Sequence, residues 1–301
     1  MSKGVIGLGI DHGFGNIKTA HCIMKAGVRH FKKEPEILSR VVGFKDAYYV
    51  VGGSRMQVKK SKTQDIDYYI LTLAGIAEEL KIRGLKNATI SLGAGLPLTR
   101  VGEEKENFKE YLMCKGEEVV CFTYEGIPYE VIIKEVEIYP QGYAAVLPWL
   151  GELPSPCLIM EWGSWTVDII YMEEGTPILE RCHSLPYGFI RCQREINIEM
   201  MRAFNEQAEE KNMENIMLGE DVIMPEKYQR LIKEQIRLYI KKVIGSMKEY
   251  GFSLDMIPVI HLGGGASVVK RFGEYDLAMT RIIEGIAVNA TAYEQLIRKK
   301  L

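Results

Sequence analysis

Two short stretches of the chain combine an acid, a glycine, an amide or hydroxyl residue and a second charge at matching spacing. Asp11-His-Gly-Phe-Gly-Asn-Ile-Lys18 and Glu161-Trp-Gly-Ser-Trp-Thr-Val-Asp168 align without gaps. Both read acid, any, Gly, any, any, Asn or Thr, β-branched, charged. A turn between two strands presents consecutive backbone N–H groups, and glycine lets that backbone approach an anion closely. Polyphosphate brings Mg2+, which keeps several waters and takes one or two carboxylates. Asp11 and Glu161 are the candidate carboxylates, and Lys18 could set an ammonium group on a phosphate. Gly13, Phe14, Gly15 and Asn16 make the first candidate cradle; Gly163, Ser164, Trp165, Thr166 and Asp168 make the second. A third element, Gly263-Gly-Gly-Ala266, follows an apolar strand and leaves flat space for a planar ligand over the backbone. One such turn alone is usually only a hairpin; the matched pair with the glycine run points to a ligand. Gly7-Leu-Gly9 is not a dinucleotide fingerprint, because the third glycine is missing and a strand follows, and no G-x-x-x-x-G-K-[ST] loop occurs.

The elements that must carry these loops alternate. Val5–Ile10 and Asn16–Met24 read as two strands around the first turn, and 25–53 as further short strands. A helix is predicted over about 65–82, with Ile66, Tyr69, Ile70, Leu73, Ile76, Ala77 and Leu80 on one face and Gly84 closing it. A strand at Ala88–Leu92, a helix at 103–113 and a hairpin of Glu118–Tyr124 with Tyr129–Glu137 follow. Tyr139-Pro-Gln-Gly142 breaks the pattern before a short apolar helix, and Glu152-Leu-Pro-Ser-Pro156 has linker composition. The strand–turn–strand theme then restarts at Cys157–Tyr171. Helices are predicted at roughly 189–211, 226–250 and 281–298, with a strand at Pro258–Leu262. This is an α/β pattern, and the echo 150 residues apart suggests two related halves facing a cleft: 1–150 joined by a returning helix at 285–301, and 151–284.

Bulk properties narrow the function. With 47% hydrophobic and 26% charged residues, 301 residues can build full cores. A net charge of −2 provides no global attraction for nucleic acid or an anionic membrane, so direct nucleic-acid binding is not expected. Six scattered cysteines (22, 114, 121, 157, 182, 192) form no C-x-x-C pair, which argues against zinc and for a reducing, cytoplasmic setting. No apolar run has the length of a membrane span, and the N-terminus lacks a signal-peptide core.

The order of these motifs resembles the actin-like ATPase superfamily. D-x-G-x-x-N-x-K at Asp11–Lys18, Pro140-Gln-Gly142, [DE]-x-G-x-x-T-x-D at Glu161–Asp168 and Gly263-Gly-Gly-Ala266 correspond to its first phosphate loop, first connecting segment, second phosphate loop and adenosine motif. Ala287-Val-Asn-Ala290 resembles the second connecting segment. Tyr68-Tyr-Ile-Leu-Thr-Leu-Ala-Gly-Ile-Ala77, Gly95-Leu-Pro-Leu98, Lys105–Leu112 and Tyr139–Ala145 look most like the ParM-like (StbA/Alp-type) plasmid-segregation actins. The resemblance spans essentially the whole chain. It implies an actin-like, ribonuclease H-like duplicated fold with two domains around a nucleotide cleft, binding ATP (GTP possible) with Mg2+.

By the same resemblance Asp11 orients the metal through water, with Glu161 its counterpart, and Lys18 touches phosphate. Gln141 positions the attacking water; a neutral amide orients water without deprotonating it, which implies slow hydrolysis. Gly263, Gly264, Gly265 and Ala266 line the adenosine. Arg194 and Glu195 are candidates for the ribose, although their helix is densely charged and a solvated face is the plainer reading. Two positions depart from the family: Glu161 stands for the usual Asp, and Gly163-Ser164 for Gly-Gly. Trp162 and Trp165 read first as packing. The implied activity is a filament-forming, slow ATPase that polymerises head to tail with itself and segregates plasmid DNA through a small DNA-binding adaptor of ParR type. A non-polymerising nucleotide-binding scaffold and a small kinase of the same fold stay open as alternatives.

Overall fold

The computed structural model describes residues 4–36, 39–57, 61–113 and 118–301. In chain order the elements are β1 (Ile6–His12), β2 (Asn16–Thr19), β3 (Ile23–Lys25), β4 (Val28–Phe31), β5 (Val41–Phe44), β6 (Ala47–Val51), α1 (Asp67–Ile82), β7 (Asn87–Leu96), α2 (Leu98–Leu112), β8 (Val120–Tyr124), β9 (Ile127–Pro140) and α3 (Tyr143–Val146). They continue with β10 (Cys157–Trp162), β11 (Val167–Glu173), β12 (Thr176–Pro177), β13 (His183–Leu185), α4 (Phe189–Phe204), α5 (Glu210–Leu218), α6 (Glu226–Ser246), β14 (Val259–Leu262), α7 (Ala266–Phe272), β15 (Thr280–Ile282) and α8 (Val288–Arg298). The chain divides into two compact units, 1–147 with 287–301, and 148–286.

Unit 1 is built on a nine-stranded sheet in the order β3-β2-β1-β7-β9-β8-β5-β6-β4. The β1–β2 pair is antiparallel, whereas β1–β7 and β7–β9 are parallel. Unit 2 has the order β12-β11-β10-β14-β15, again with one antiparallel hairpin, β10–β11, beside the parallel pairs β10–β14 and β14–β15. The strands β3-β2-β1-β7-β9 and β12-β11-β10-β14-β15 thus follow one plan: a hairpin first, then two parallel additions on its other side. The repeated loops sit at the tips of the two first hairpins.

Parallel strands covered by helices on both faces read as continuous apolar runs, and β10 is buried at every position. Helix α1 is buried nearly all round, Tyr68, Leu71, Thr72 and Gly75 included, instead of on one face as its periodicity suggests. It packs against strands of both the hairpin and the outer part of the sheet, so little of it is left to water. Helix α8 returns to unit 1 and lies on β1 and β7; a Cβ on Gly9 would overlap the Ala290 carbonyl oxygen.

Several predicted elements divide. The strand expected over Asn16–Met24 folds back at a turn closed by the Thr19 N–H and the Cys22 carbonyl, giving β2 and β3. The helix expected over 189–211 stops at Asn205, which adopts φ 56° and caps α4 in the left-handed region before α5 begins. The helix expected over 281–298 is β15 followed, after a gap, by α8, because residues 280–282 add a parallel strand beside β14. The five described cysteines are free thiols, and Cys114 lies outside the described residues. No described helix is long and apolar enough to cross a membrane.

Candidate functional site

In unit 1 the antiparallel register of β1 and β2 sets Asp11 directly opposite Lys18. Their side chains meet, Lys18 Nζ donating to Asp11 Oδ2 at 3.0 Å. Asp11 is only 2% exposed. Its other oxygen, Oδ1, accepts a hydrogen bond from Gln141 Nε2 at 2.7 Å. Gln141 is itself held at the end of β9, where its backbone N–H donates to the Leu96 carbonyl. The following N–H, of Gly142, donates to Asn289 Oδ1, which ties this break to the start of α8.

Burial pushes the Asp11 carboxyl up, but the Lys18 ammonium, the Lys62 charge and the Gln141 amide together hold it below the usual carboxylate range. Asp11 is therefore ionised and can only accept. Gln141 must turn its NH2 toward it, which directs the amide oxygen elsewhere, where it can accept a hydrogen bond from water.

Gly13, Phe14 and Gly15 form the turn between these two strands, and Asn16 opens β2. A Cβ on Gly13 would come within 2.7 Å of the Asn16 carbonyl oxygen, so only glycine closes this turn undisturbed. The neighbouring His12 is fully buried, and its Nε2 lies 2.8 Å from Thr72 Oγ1. Thr72 spends its own proton on the Tyr68 carbonyl, so His12 Nε2 carries the shared hydrogen.

The second loop repeats this geometry inside unit 2. Glu161 and Asp168 occupy the register positions of Asp11 and Lys18, and a Cβ on Gly163 would lie 3.0 Å from the Thr166 carbonyl oxygen. The chemistry differs because both paired positions are acidic. Asp168 takes hydroxyl donors instead, from Thr166 Oγ1 at 3.2 Å and from Ser184 Oγ. The loop carbonyls of Gly163, Ser164 and Trp165 accept hydrogen bonds from the N–H groups of Phe189, Ile190 and Gly188 at the start of α4. This satisfies donors that a helix N-terminus leaves unpaired, and it fixes the loop to the helix.

Glu161 is buried beside the glycine run: a Cβ on Gly263 would sit 3.2 Å from its Cγ. Gly263 itself has φ +89°, and a Cβ on Gly265 would overlap the Phe189 ring. Gly264 faces Ile286, and Ala266 opens α7. Trp162 is core, fully buried against Phe189 and donating from Nε1 to His261 Nδ1 at 2.9 Å. Trp165 is only partly buried, and the Arg194 guanidinium lies 5.1 Å from its ring centroid. Glu195, by contrast, is engaged by Arg191 and Lys242 on the helix surface.

Unit 1 therefore gathers Asp11, the Gly13–Asn16 turn, Lys18 and Gln141. Unit 2 gathers Glu161, the Gly163–Thr166 turn, Asp168 and Gly263–Ala266, with Arg194 on Trp165. Sequence reasoning missed Lys62, which is buried and acts on Asp11; it singled out the segment Ala287–Ala290 but not the role of Asn289 there, which holds the Gln141 segment. Lys62 lies in the polar run Lys59-Lys-Ser-Lys-Thr-Gln-Asp65, whose composition reads as surface loop, so no local signal marks it. Among the described residues no three His, Cys, Asp or Glu side chains gather as a metal cage.

Residues 9–143 match the family model for the N-terminal domain of actin-like proteins. No curated protein matches the sequence. Solved structures similar over their whole length include Ta0583, an archaeal actin homologue, in complex with ADP, with TM-score 0.75 and 19% identity, covering 98% of this chain and 100% of that one. Bacillus thuringiensis ParM with ATP matches with TM-score 0.72 and 17% identity over 99% and 100% of the two chains. The Alp12 filament structure matches with TM-score 0.66 and 16% identity over 98% of each chain.

Proposed function

We propose that this chain, which has the actin-like fold and an actin-like N-terminal domain, is a nucleotide-dependent ATPase that assembles into filaments. The observation that carries the reading is the buried Asp11 carboxylate, held between Lys18 and Gln141 at a glycine turn and echoed in register by Glu161 and Asp168. The ADP and ATP complexes of the similar proteins support nucleotide as the ligand, and the Alp12 filament supports assembly.

The residues present suit a Mg–nucleotide. The Gly13 turn admits no side chain, Lys18 supplies a partly buried cation, and Asp11 and Glu161 are buried carboxylates. A hydrated Mg2+ held mainly by phosphate and water asks for one or two carboxylates, so it needs no three-residue cage. Asp11 in unit 1 would hold it through water, Glu161 is its register counterpart in unit 2, and when bound the metal would neutralise charge on the phosphates. Lys18 and the N–H groups of the Gly13–Asn16 and Gly163–Thr166 turns bind phosphate. Gly263, Gly264, Gly265 and Ala266 take the adenosine, and Arg194, stacked on Trp165, borders the ribose. Gln141 orients the attacking water through its amide oxygen, and hydrolysis is slow because an amide does not take the proton.

In this reading nucleotide binding favours assembly, hydrolysis weakens it, and the filament moves plasmid DNA through a small DNA-binding adaptor. The head-to-tail contact is heterologous and open, which gives a filament in place of a closed ring. Sedimentation and electron microscopy with Mg-ATP and Mg-GTP test it. Pelletable filaments that appear with nucleotide and disassemble on hydrolysis are expected. A protein that binds nucleotide yet stays monomeric at its highest soluble concentration refutes the filament and leaves a nucleotide-binding scaffold.

A further inference from the structure

We propose that Lys62 is a second phosphate-binding lysine of the first loop, working with Lys18 on the polyphosphate of a nucleoside triphosphate. This rests on the nucleotide reading above. Lysine is rarely this buried unless its charge is engaged, and Lys62 is 2% exposed. Its ammonium group lies 5.4 Å from the ring centroid of Phe14 and 5.7 Å from that of Phe108. Phe14 is the residue between the two glycines of the loop, so the charge lies near the ring of the turn that would receive phosphate.

The segment around Lys62 is tied down. Asn107 Nδ2 of α2 donates to Thr63 Oγ1 at 3.2 Å, and Tyr111 OH donates to the Asp65 carbonyl at 2.9 Å. Asp65 Oδ1 in turn accepts from the N–H of Asp67, the first residue of α1. The segment that carries Lys62 is thus fixed to both helices that flank it, and little freedom is lost when the lysine meets a ligand.

A cation set in a poorly hydrated place acts on a neighbouring anion more strongly than one in water, because less solvent screens it. Lys18 reaches phosphate from the outgoing strand, while Lys62 reaches it from the segment ahead of α1. The loop then presents two cations to successive phosphates, a device that discriminates by phosphate number.

Isothermal titration of wild type and Lys62→Met with Mg-ATP, Mg-ADP, AMP and inorganic tripolyphosphate tests this. Lys62→Met should weaken Mg-ATP and tripolyphosphate by about 10- to 100-fold, the value of a lost charged hydrogen bond, and AMP by less than about threefold. The ratio of ATP to AMP affinity within one variant is unaffected by any fraction of unfolded protein, so a poorly folding Lys62→Met remains informative. An unchanged ratio in Lys62→Met, with wild type binding Mg-ATP, overturns the role of Lys62 alone. A wild type that binds neither nucleotide nor tripolyphosphate overturns the nucleotide reading itself, and this inference with it.

Discussion

Replacing Asp11 by Asn keeps the shape of the first loop and deletes one buried negative charge. The wild-type carboxylate is ionised: burial opposes its charge, but the neighbouring lysines and the Gln141 amide outweigh burial and hold it below the usual carboxylate range. An ammonium group bridging Asp11 at 3.0 Å and a phosphate oxygen at about 2.8 Å keeps those two anions within about 6 Å of one another. At an effective dielectric constant of about 20, their repulsion is roughly 3 kcal/mol. Without metal, Asp11 therefore opposes the nucleotide; with metal, it helps to hold the hydrated cation. Asp11→Asn should bind ATP in EDTA about 10- to 100-fold more tightly than wild type and lose most of the gain that Mg2+ confers. The apo-protein should lose on the order of 2 kcal/mol, since Lys18, with 13% of its side chain exposed, loses the charge it faces across the hairpin. Titration calorimetry with and without Mg2+, beside urea unfolding, reads both effects. Metal-free affinity that is unchanged or weaker, with full Mg2+ dependence retained, would refute the assignment of Asp11 to the metal–phosphate site.

Gln141→Ala removes the amide that faces Asp11 and should leave Mg-ATP affinity within about threefold while slowing phosphate release by about 10-fold or more, the worth of a positioning group. Single-turnover hydrolysis measures this, and loss of binding instead would show that Gln141 has a different task. Burial lowers the pKa of His261 from 6.5 to about 4, and Trp162, which can only donate, occupies its Nδ1. The folded state thus keeps His261 neutral while the unfolded chain takes up a proton, so stability falls as pH drops below about 6.5 and levels off below about 4. His261→Gln retains an acceptor for Trp162 and does not titrate. It should recover roughly 2 kcal/mol of the stability lost between about pH 7 and pH 5, as read by unfolding at both pH values. An identical loss in both proteins would place the acid sensitivity elsewhere.

Local patterns in the chain carried much of this architecture. Alternating apolar residues around a glycine turn mark a hairpin, and the 3.6-residue periodicity of Ile66–Leu80 marks a helix, because both depend on neighbours only a few positions apart. The matched loops belong to the same class of signal, and their spacing of 150 residues already implied a duplication. What local patterns could not carry was burial and long-range pairing. Lys62 stands in a polar run yet is enclosed by Phe14 and Phe108, from a loop and a helix on either side of it in sequence. Gln141 meets Asp11 across 130 positions, and Asn289 meets Gly142 across 147. Helix α4 bonds its first amides to the carbonyls of the second loop, a contact that goes with the packing of Phe189 on Trp162 and that the composition of the helix does not reveal. The chain alone determined which residue types could bind phosphate and where the turns lie. Only the tertiary structure decided which charges meet, because a side chain's protonation, orientation and partner depend on the dielectric and neighbours that packing brings to it from far along the chain.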